Sequence, residues 1–347
     1  MKKILVTGGA GFLGVHFLEH IFKETDWNIV SLDRLDTSGN LNRMSEMLEG
    51  HDDWKARLSV VFHDLKAEIS DQVAARIGGD FDYIVHIAAG SHVDRSIEDP
   101  TLFFQDNCMG TVSLLNYVRN KKYNALTPTG RFLYFGTDEV YGPAAAGQNF
   151  KEWDRMNPNN PYAAAKAAAE MATLAYANTY SIPSIITNTM NIYGERQLPE
   201  KFIPLAIKRS LSGERIDIHA NADLTKPGQR HYIHARNVSA AVVWILQNGK
   251  SLNRAATEGR YNIVGEKEMD NLELAKLIHG YVKKYNPDIP DLNAQLVSFH
   301  AQRPGHDLRY ALDGQLLSSE GFVFPMTFED SIERTIKWTL DHKNQWL

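Results

Sequence analysis

Three glycines spaced three residues apart near the start of the chain restrict its fold more than any other feature. Ile4-Leu5-Val6 reads as a short buried strand, and Thr7-Gly8-Gly9-Ala10-Gly11-Phe12-Leu13-Gly14 follows it at once. Where a strand turns directly into a helix, Gly8 permits the tight turn, Gly11 lets the backbone approach a pyrophosphate, and Gly14 lets helix and strand pack closely. The helix, about residues 11–25, begins at Gly11-Phe12-Leu13 and aims its first amides at the anion. Glycines alone would also fit an ordinary turn. Here strand, glycines and helix agree, and Ile29-Val30-Ser31-Leu32 supplies a second strand ending in Asp33. An acid at that place accepts hydrogen bonds from an adenosine ribose and repels a 2′-phosphate. Arg34 comes next and would welcome a phosphate, so NAD is favoured over NADP on the strength of the acid alone.

Leu58-Ser59-Val60-Val61-Phe62 and Tyr83-Ile84-Val85-His86-Ile87 read as two further strands. Asp64 and Leu65 follow the first, and Asp64 fits either an acceptor for an adenine amino group or a helix N-cap. After the second, Ala88 and Ala89 are small enough for backbone to lie along a cofactor, while His86 reads as a satisfied, partly buried imidazole. Asp99-Pro100 has the form of an N-cap with proline in the first turn, opening a long helix over about 101–119. Asn107, inside it, reads as a buried amide that fixes the local backbone.

Arg131-Phe132-Leu133-Tyr134-Phe135 is the next strand, and Gly136-Thr137-Asp138-Glu139-Val140-Tyr141-Gly142 ends it. A hydroxyl and two adjacent carboxylates at the end of a buried strand are costly unless used or well paired, and open parallel sheets bind ligands just beyond such ends. Tyr162 and Lys166 stand four apart on an alanine-rich helix, hence on one face. An ammonium near a phenol favours phenolate and makes a base for an alcohol proton. A surface Tyr/Lys pair is the ordinary reading of that spacing; a dinucleotide-binding half and a strand-end threonine reverse it. Ser184-Ile185-Ile186-Thr187-Asn188 is one more strand, after which the alternation turns irregular. The fold expected is α/β, a Rossmann-type doubly wound parallel sheet over 1–190 with a smaller mixed α/β substrate lobe over 191–347. A segment near 231–247 returns to the first domain. Arg230, Arg303, His306 and Arg309 are cations available for a substrate diphosphate, though any single arginine is by default a solvated surface charge.

Composition matters here for what it excludes. With 347 residues, a net charge of −5 and scattered Lys and Arg, no nucleic-acid surface is expected. The single cysteine, Cys108, allows no internal disulfide and no cysteine-based zinc cluster, and no metal site is expected. No run approaches the ~18 apolar residues of a membrane helix, and glycines interrupt the N-terminal apolar run before a signal peptide forms. A soluble, cytoplasmic protein is the expectation.

These residues resemble the extended short-chain dehydrogenases/reductases, and more narrowly the dTDP-glucose 4,6-dehydratases. The resemblance runs nearly end to end. It includes Thr7 to Gly14, Asp33 with Ser38-Gly39-Asn40-Leu41, Ser91-His92-Val93-Asp94-Arg95-Ser96, Thr137-Asp138-Glu139, Tyr162 with Lys166, and Asn191-Ile192-Tyr193-Gly194. Pro199-Glu200-Lys201, Tyr261-Asn262-Ile263 and Arg303-Pro304-Gly305-His306-Asp307 complete it. The resemblance implies that Tyr162, helped by Thr137 and Lys166, takes the carbon 4 hydroxyl proton while NAD accepts the hydride. Glu139 then removes the carbon 5 hydrogen, Asp138 protonates the departing carbon 6 hydroxyl, and the hydride returns to carbon 6. Adjacent carboxyls resist ionising together, which suits an acid and a base side by side. Ser91, His92, Asn188, Glu200, Lys201, Arg230, Asn262, Arg303 and His306 would contact the nucleotide diphosphate or sugar. A homodimer through the helices at about 101–119 and 162–180 is also implied. The chain departs from the family pattern at Gly90, where many members have an acid, at Gly136, where serine is usual, and over 221–230. A UDP-glucose dehydratase would share nearly all these residues. A UDP-sugar 4-epimerase would share the cofactor site and Tyr/Lys pair but needs no Asp138/Glu139 pair, and a non-catalytic scaffold needs none of them.

Overall fold

The computed structural model describes residues 1–36, 38–298 and 308–347. Strands β1 (Lys3–Thr7), β2 (Asn28–Asp33), β3 (Leu58–Phe62), β4 (Phe81–His86), β5 (Leu126–Phe135), β6 (Ser184–Thr189) and β10 (Arg260–Ile263) form one sheet, ordered β10-β6-β5-β4-β1-β2-β3. Every pairing in it is parallel. The order reverses between β1 and β4, which opens a crevice beyond the carboxyl ends of the strands. Strand alternation sends successive side chains to opposite faces. Ile4 and Val6 enter a core with Val15, Phe17 and Ile21 of helix Phe12–Glu24, whereas Leu5 enters a second with Leu114 and Leu115 of helix Gly110–Arg119. Both sheet faces are therefore covered, as a buried parallel sheet requires.

The remaining strands build the smaller lobe. β7 (Asn191–Tyr193), β9 (Gln229–His234) and β11 (Glu268–Asp270) form a three-stranded sheet, and β8 (Ile216–Ala220) pairs with β12 (Ala294–Ser298). A separate core holds this lobe together, with Ile207, Ile218, Leu274, Ile278 and Ile332 at its centre. The segment read as returning at 231–247 is divided differently. β9 stays with the small sheet, because its register pairs it with β7 and β11. Helix Ala235–Asn248 then packs Val238, Val242 and Ile245 into the core of helix Phe12–Glu24, and β10 adds an edge strand beside β6. The expected long helix at 101–119 is broken: a π-turn, Phe104–Met109, lies between Pro100–Phe103 and Gly110–Arg119. Among the described residues no helix is long and apolar enough to cross a membrane.

Candidate active site

The glycine loop forms a cradle lined by backbone. Gly8 has φ +76°, and a Cβ there would stand 2.8 Å from the Cα of Ala88, while a Cβ on Gly14 would overlap the Gly8 carbonyl oxygen. Gly11 caps helix Phe12–Glu24 without a side-chain hydrogen bond, leaving its first-turn amides to an anion. Asp33 ends β2 with Oδ2 accepting from the Ala10 amide at 3.0 Å and Oδ1 from the Leu35 amide at 2.8 Å. Its carboxylate is thus fixed beside the loop, and burial raises its pKa. Asp64 caps no helix: it accepts from the Lys66 amide at 3.0 Å, and Ser70 caps the next helix. Leu65 is buried in the core below. Ala89 is half-buried beside Ala88, and Asn107 in the π-turn clamps the next residue, accepting from Gly90 N at 2.7 Å and donating to its carbonyl at 3.1 Å. His86 is satisfied by Thr7 and Thr111 at 2.7 and 2.9 Å. The cradle, the uncapped helix and Asp33 fit the pyrophosphate and adenosine ribose of a dinucleotide.

Two strands across the sheet from β1, Thr137 caps a single 3₁₀ turn, Asp138–Tyr141, at the end of β5. Its hydroxyl donates to Asp138 Oδ1 at 3.0 Å, and Asp138 Oδ2 is buried without a hydrogen-bond partner among the described residues. Burial, and after it the charge of Glu139, pushes the Asp138 carboxyl up to about 7, against opposing effects of Arg230 and Thr137. Glu139 is half-buried and accepts from the Asn160 amide at 3.1 Å. Asn160 in turn caps helix Pro161–Tyr180, which carries Tyr162 and Lys166. Two neighbouring carboxyl groups are therefore held in unlike surroundings, as an acid and base pair requires.

The expected depression of the Tyr162 phenol by Lys166 is not found. Lys166 Nζ donates to the Phe135 carbonyl at 2.6 Å, 4.5 Å from the Tyr134 ring centre, and burial lowers its pKa to about 7. Tyr162 is itself buried, and burial followed by the charge of Glu139 raises its pKa well above the ordinary value, with a Thr137 hydrogen bond opposing. Helical spacing put the two residues on one face, but the carbonyl at the strand end captures the ammonium.

At the rim, His92 Nε2 and Arg95 Nη2 lie 3.7 and 3.1 Å from the Glu200 carboxylate, and the charge of Lys201 acts on His92. Ser91 is exposed beside them. Arg230 donates to the Gln229 and Leu308 carbonyls at 2.7 Å each. Asn188 and Asn262, read from the resemblance as substrate contacts, are engaged by other parts of the chain. Both are 0% exposed. The Asn188 amide donates to the Thr137 carbonyl at 3.2 Å and to Glu170 Oε2 at 3.0 Å, and that of Asn262 donates to the Phe150 and Asp313 carbonyls at 3.0 Å each. Arg303 and His306 lie outside the described residues. Sequence reasoning missed Asn160, although Asn160-Pro161 is a legible helix start, and it missed Glu170 and Arg260. Glu170 is four residues beyond Lys166 on the same helix, and its Oε1 lies 2.9 Å from Arg260 Nη2, off the hydrogen-bond direction.

A parallel-sheet crevice with a glycine cradle at one end and Thr137, Tyr162 and Lys166 at the other defines an extended short-chain dehydrogenase/reductase. Within that class, a sequence model of the GDP-mannose 4,6 dehydratase family matches residues 5–335, and the chain belongs to that family. The dTDP-glucose 4,6-dehydratase of Escherichia coli is 35% identical over 99% of this chain and 95% of its own. Among solved structures, the Streptomyces venezuelae dTDP-glucose 4,6-dehydratase with NAD bound is 31% identical with a TM-score of 0.83, covering 99% of this chain and 98% of that one. The Bacillus anthracis dTDP-glucose 4,6-dehydratase in complex with NAD is 29% identical with a TM-score of 0.80, covering 100% and 99%.

Proposed function

We propose that the chain is an NAD-dependent hydro-lyase that converts dTDP-glucose to dTDP-4-keto-6-deoxyglucose and water. The observation that carries this reading is the buried Asp138 carboxyl, raised to about 7 beside Glu139. An oxidoreductase or epimerase acting at carbon 4 alone has no need of that pair. The backbone of Gly8 to Gly14 holds the pyrophosphate, Asp33 the adenosine ribose, and Tyr162 and Lys166 border the nicotinamide ribose. When bound, NAD supplies a reversible hydride acceptor and a cationic ring. With that cationic ring beside it to offset the effect of burial and favour phenolate, Tyr162, hydrogen-bonded to Thr137, would take the proton of the carbon 4 hydroxyl as that carbon is oxidised. The resulting ketone acidifies the carbon 5 hydrogen, which Glu139 removes. Asp138 delivers its proton to the carbon 6 hydroxyl, which leaves as water, and the double bond so formed regains the hydride at carbon 6 and a proton from Glu139 at carbon 5. His92, Glu200, Lys201 and Arg230 hold the sugar and diphosphate, with Arg230 also acting on Asp138. A cytoplasmic location, where dinucleotides and nucleotide sugars are available, belongs to the same reading.

The purified protein, offered dTDP-, UDP-, GDP- and CDP-hexoses, should produce loss of one water by mass spectrometry, fastest with dTDP-glucose. A galactose-configured product without water loss would replace this reading by the epimerase, and preference for UDP-glucose would change the nucleotide.

The homodimer belongs to the same reading. Its support is the exposed apolar side chains Phe104, Met109 and Met171, which are 40, 54 and 41% exposed on the two helical segments concerned. Light scattering should give the mass of two chains, falling to one in Met171→Glu. A single-chain mass for the unaltered protein rules the dimer out.

A further inference from the structure

Arg34 is fully engaged by carboxylates. Its Nη1 and Nη2 pair with Asp106 Oδ1 and Oδ2 at 2.6 and 2.9 Å, and its Nε donates to Asp36 at 2.6 Å. The Asp64 carboxylate lies 3.9 Å from Nη1. Lys66 Nζ stands 3.4 Å from Asp64 and 3.7 Å from Asp106. With Asp33 adjacent, four carboxylates surround two cations, and the corner beyond β2 is negative. The bidentate pair is the strong form of such a contact, and the Asp106 side chain is only 5% exposed.

The π-turn Phe104–Met109 carries Asp106, and Gly90 lies against it at ordinary contact distance. A Cβ on Gly90 would stand 3.5 Å from Asp106 Oδ2 and 3.2 Å from the Phe103 ring.

We propose that Asp106 sets the cofactor choice: by holding Arg34 it keeps the guanidinium beside the adenosine ribose from a 2′-phosphate, so that NAD binds and NADP is rejected. Asp106 is a positioning residue that acts through Arg34, and Asp33 adds the direct repulsion. The inference rests on the reading of the crevice as a dinucleotide site.

The test equilibrates the protein as purified with equimolar NAD and NADP and reads the bound ratio by native mass spectrometry. Asp106→Asn should raise the bound NADP:NAD ratio about tenfold, the scale of one charge-assisted contact. Arg34→Ala should not raise it, and Arg34→Ala combined with Asp106→Asn should abolish the gain. Asp106→Thr carries the same expectation should the asparagine variant fold poorly. A ratio unmoved in the Asp106 variants, or one that rises equally without Arg34, overturns the proposal while leaving the dinucleotide site intact. Neither dinucleotide bound to the unaltered protein overturns both.

Discussion

Glu139→Gln should abolish exchange of the carbon 5 hydrogen with solvent and lower turnover by about a hundred- to ten-thousand-fold, the range of a lost general base. Oxidation at carbon 4 should survive. The substitution keeps side-chain size and an oxygen for the Asn160 amide, now at 3.1 Å from the carboxylate, so the 3₁₀ turn has no reason to move. The readouts are deuterium incorporation at carbon 5 by NMR and the absorbance of reduced nicotinamide in a single turnover. Exchange at the normal rate would show that the base lies elsewhere. The neighbouring acid gives this prediction a pH signature. Asp138 must be protonated to deliver its proton, and its carboxyl titrates at about 7, so elimination slows as pH rises through that value. Since the charge of Glu139 is the second cause of that elevation, Glu139→Gln should move the alkaline limb of any residual elimination to lower pH.

Local patterns were legible and long-range ones were not. The glycine loop, the strand-end acid Asp33 and the Thr137-Asp138-Glu139 triplet each depend on neighbours in sequence. Periodicity and turn chemistry therefore reach them. β10 is only four residues long, and nothing in Arg260–Ile263 distinguishes a sheet edge from a loop until it pairs with β6. Asn188, at a strand end, and Asn262, in a family motif, are offered as ligand contacts by the resemblance alone. Their burial follows from segments far away, Thr137 and Glu170 for one, Phe150 and Asp313 for the other. Helical spacing placed Lys166 beside Tyr162 but could not show that the Phe135 carbonyl, 31 residues earlier, would take its proton donor. The vacant side chain at position 136 also acquires a reason. A Cβ there would stand 2.7 Å from Asn188 Nδ2 and 3.3 Å from Glu170 Oε2, so Gly136 and the glutamate behind it belong to one packing solution.

That packing leads to the second large effect, on stability. Arg260→Met should destabilise the fold by about 3–5 kcal/mol, the cost of leaving one member of a buried ion pair uncompensated. Glu170 and Arg260 have side chains 0 and 2% exposed, and Glu170 also accepts from Asn188, the residue bonded to the Thr137 carbonyl. Burial already raises the Glu170 pKa, and Arg260 is the largest opposing effect. Removing the arginine raises it further. A carboxyl whose folded pKa lies above its unfolded value contributes stability that is complete below the unfolded pKa and disappears as pH rises through the folded one. The deficit of Arg260→Met should therefore be smallest near pH 4 and grow toward pH 8, and thermal melts at both ends measure it. Glu170→Gln in the same chain should restore most of the loss at pH 8 by removing the charge while keeping an acceptor for Asn188. A deficit equal at both pH values would assign the effect to lost packing on the Trp153 ring, 4.6 Å from the guanidinium, and not to the buried charge. With the pair broken but the fold retained, Thr137 loses a fixed backbone support, and kcat should fall more than the affinity for the nucleotide sugar changes.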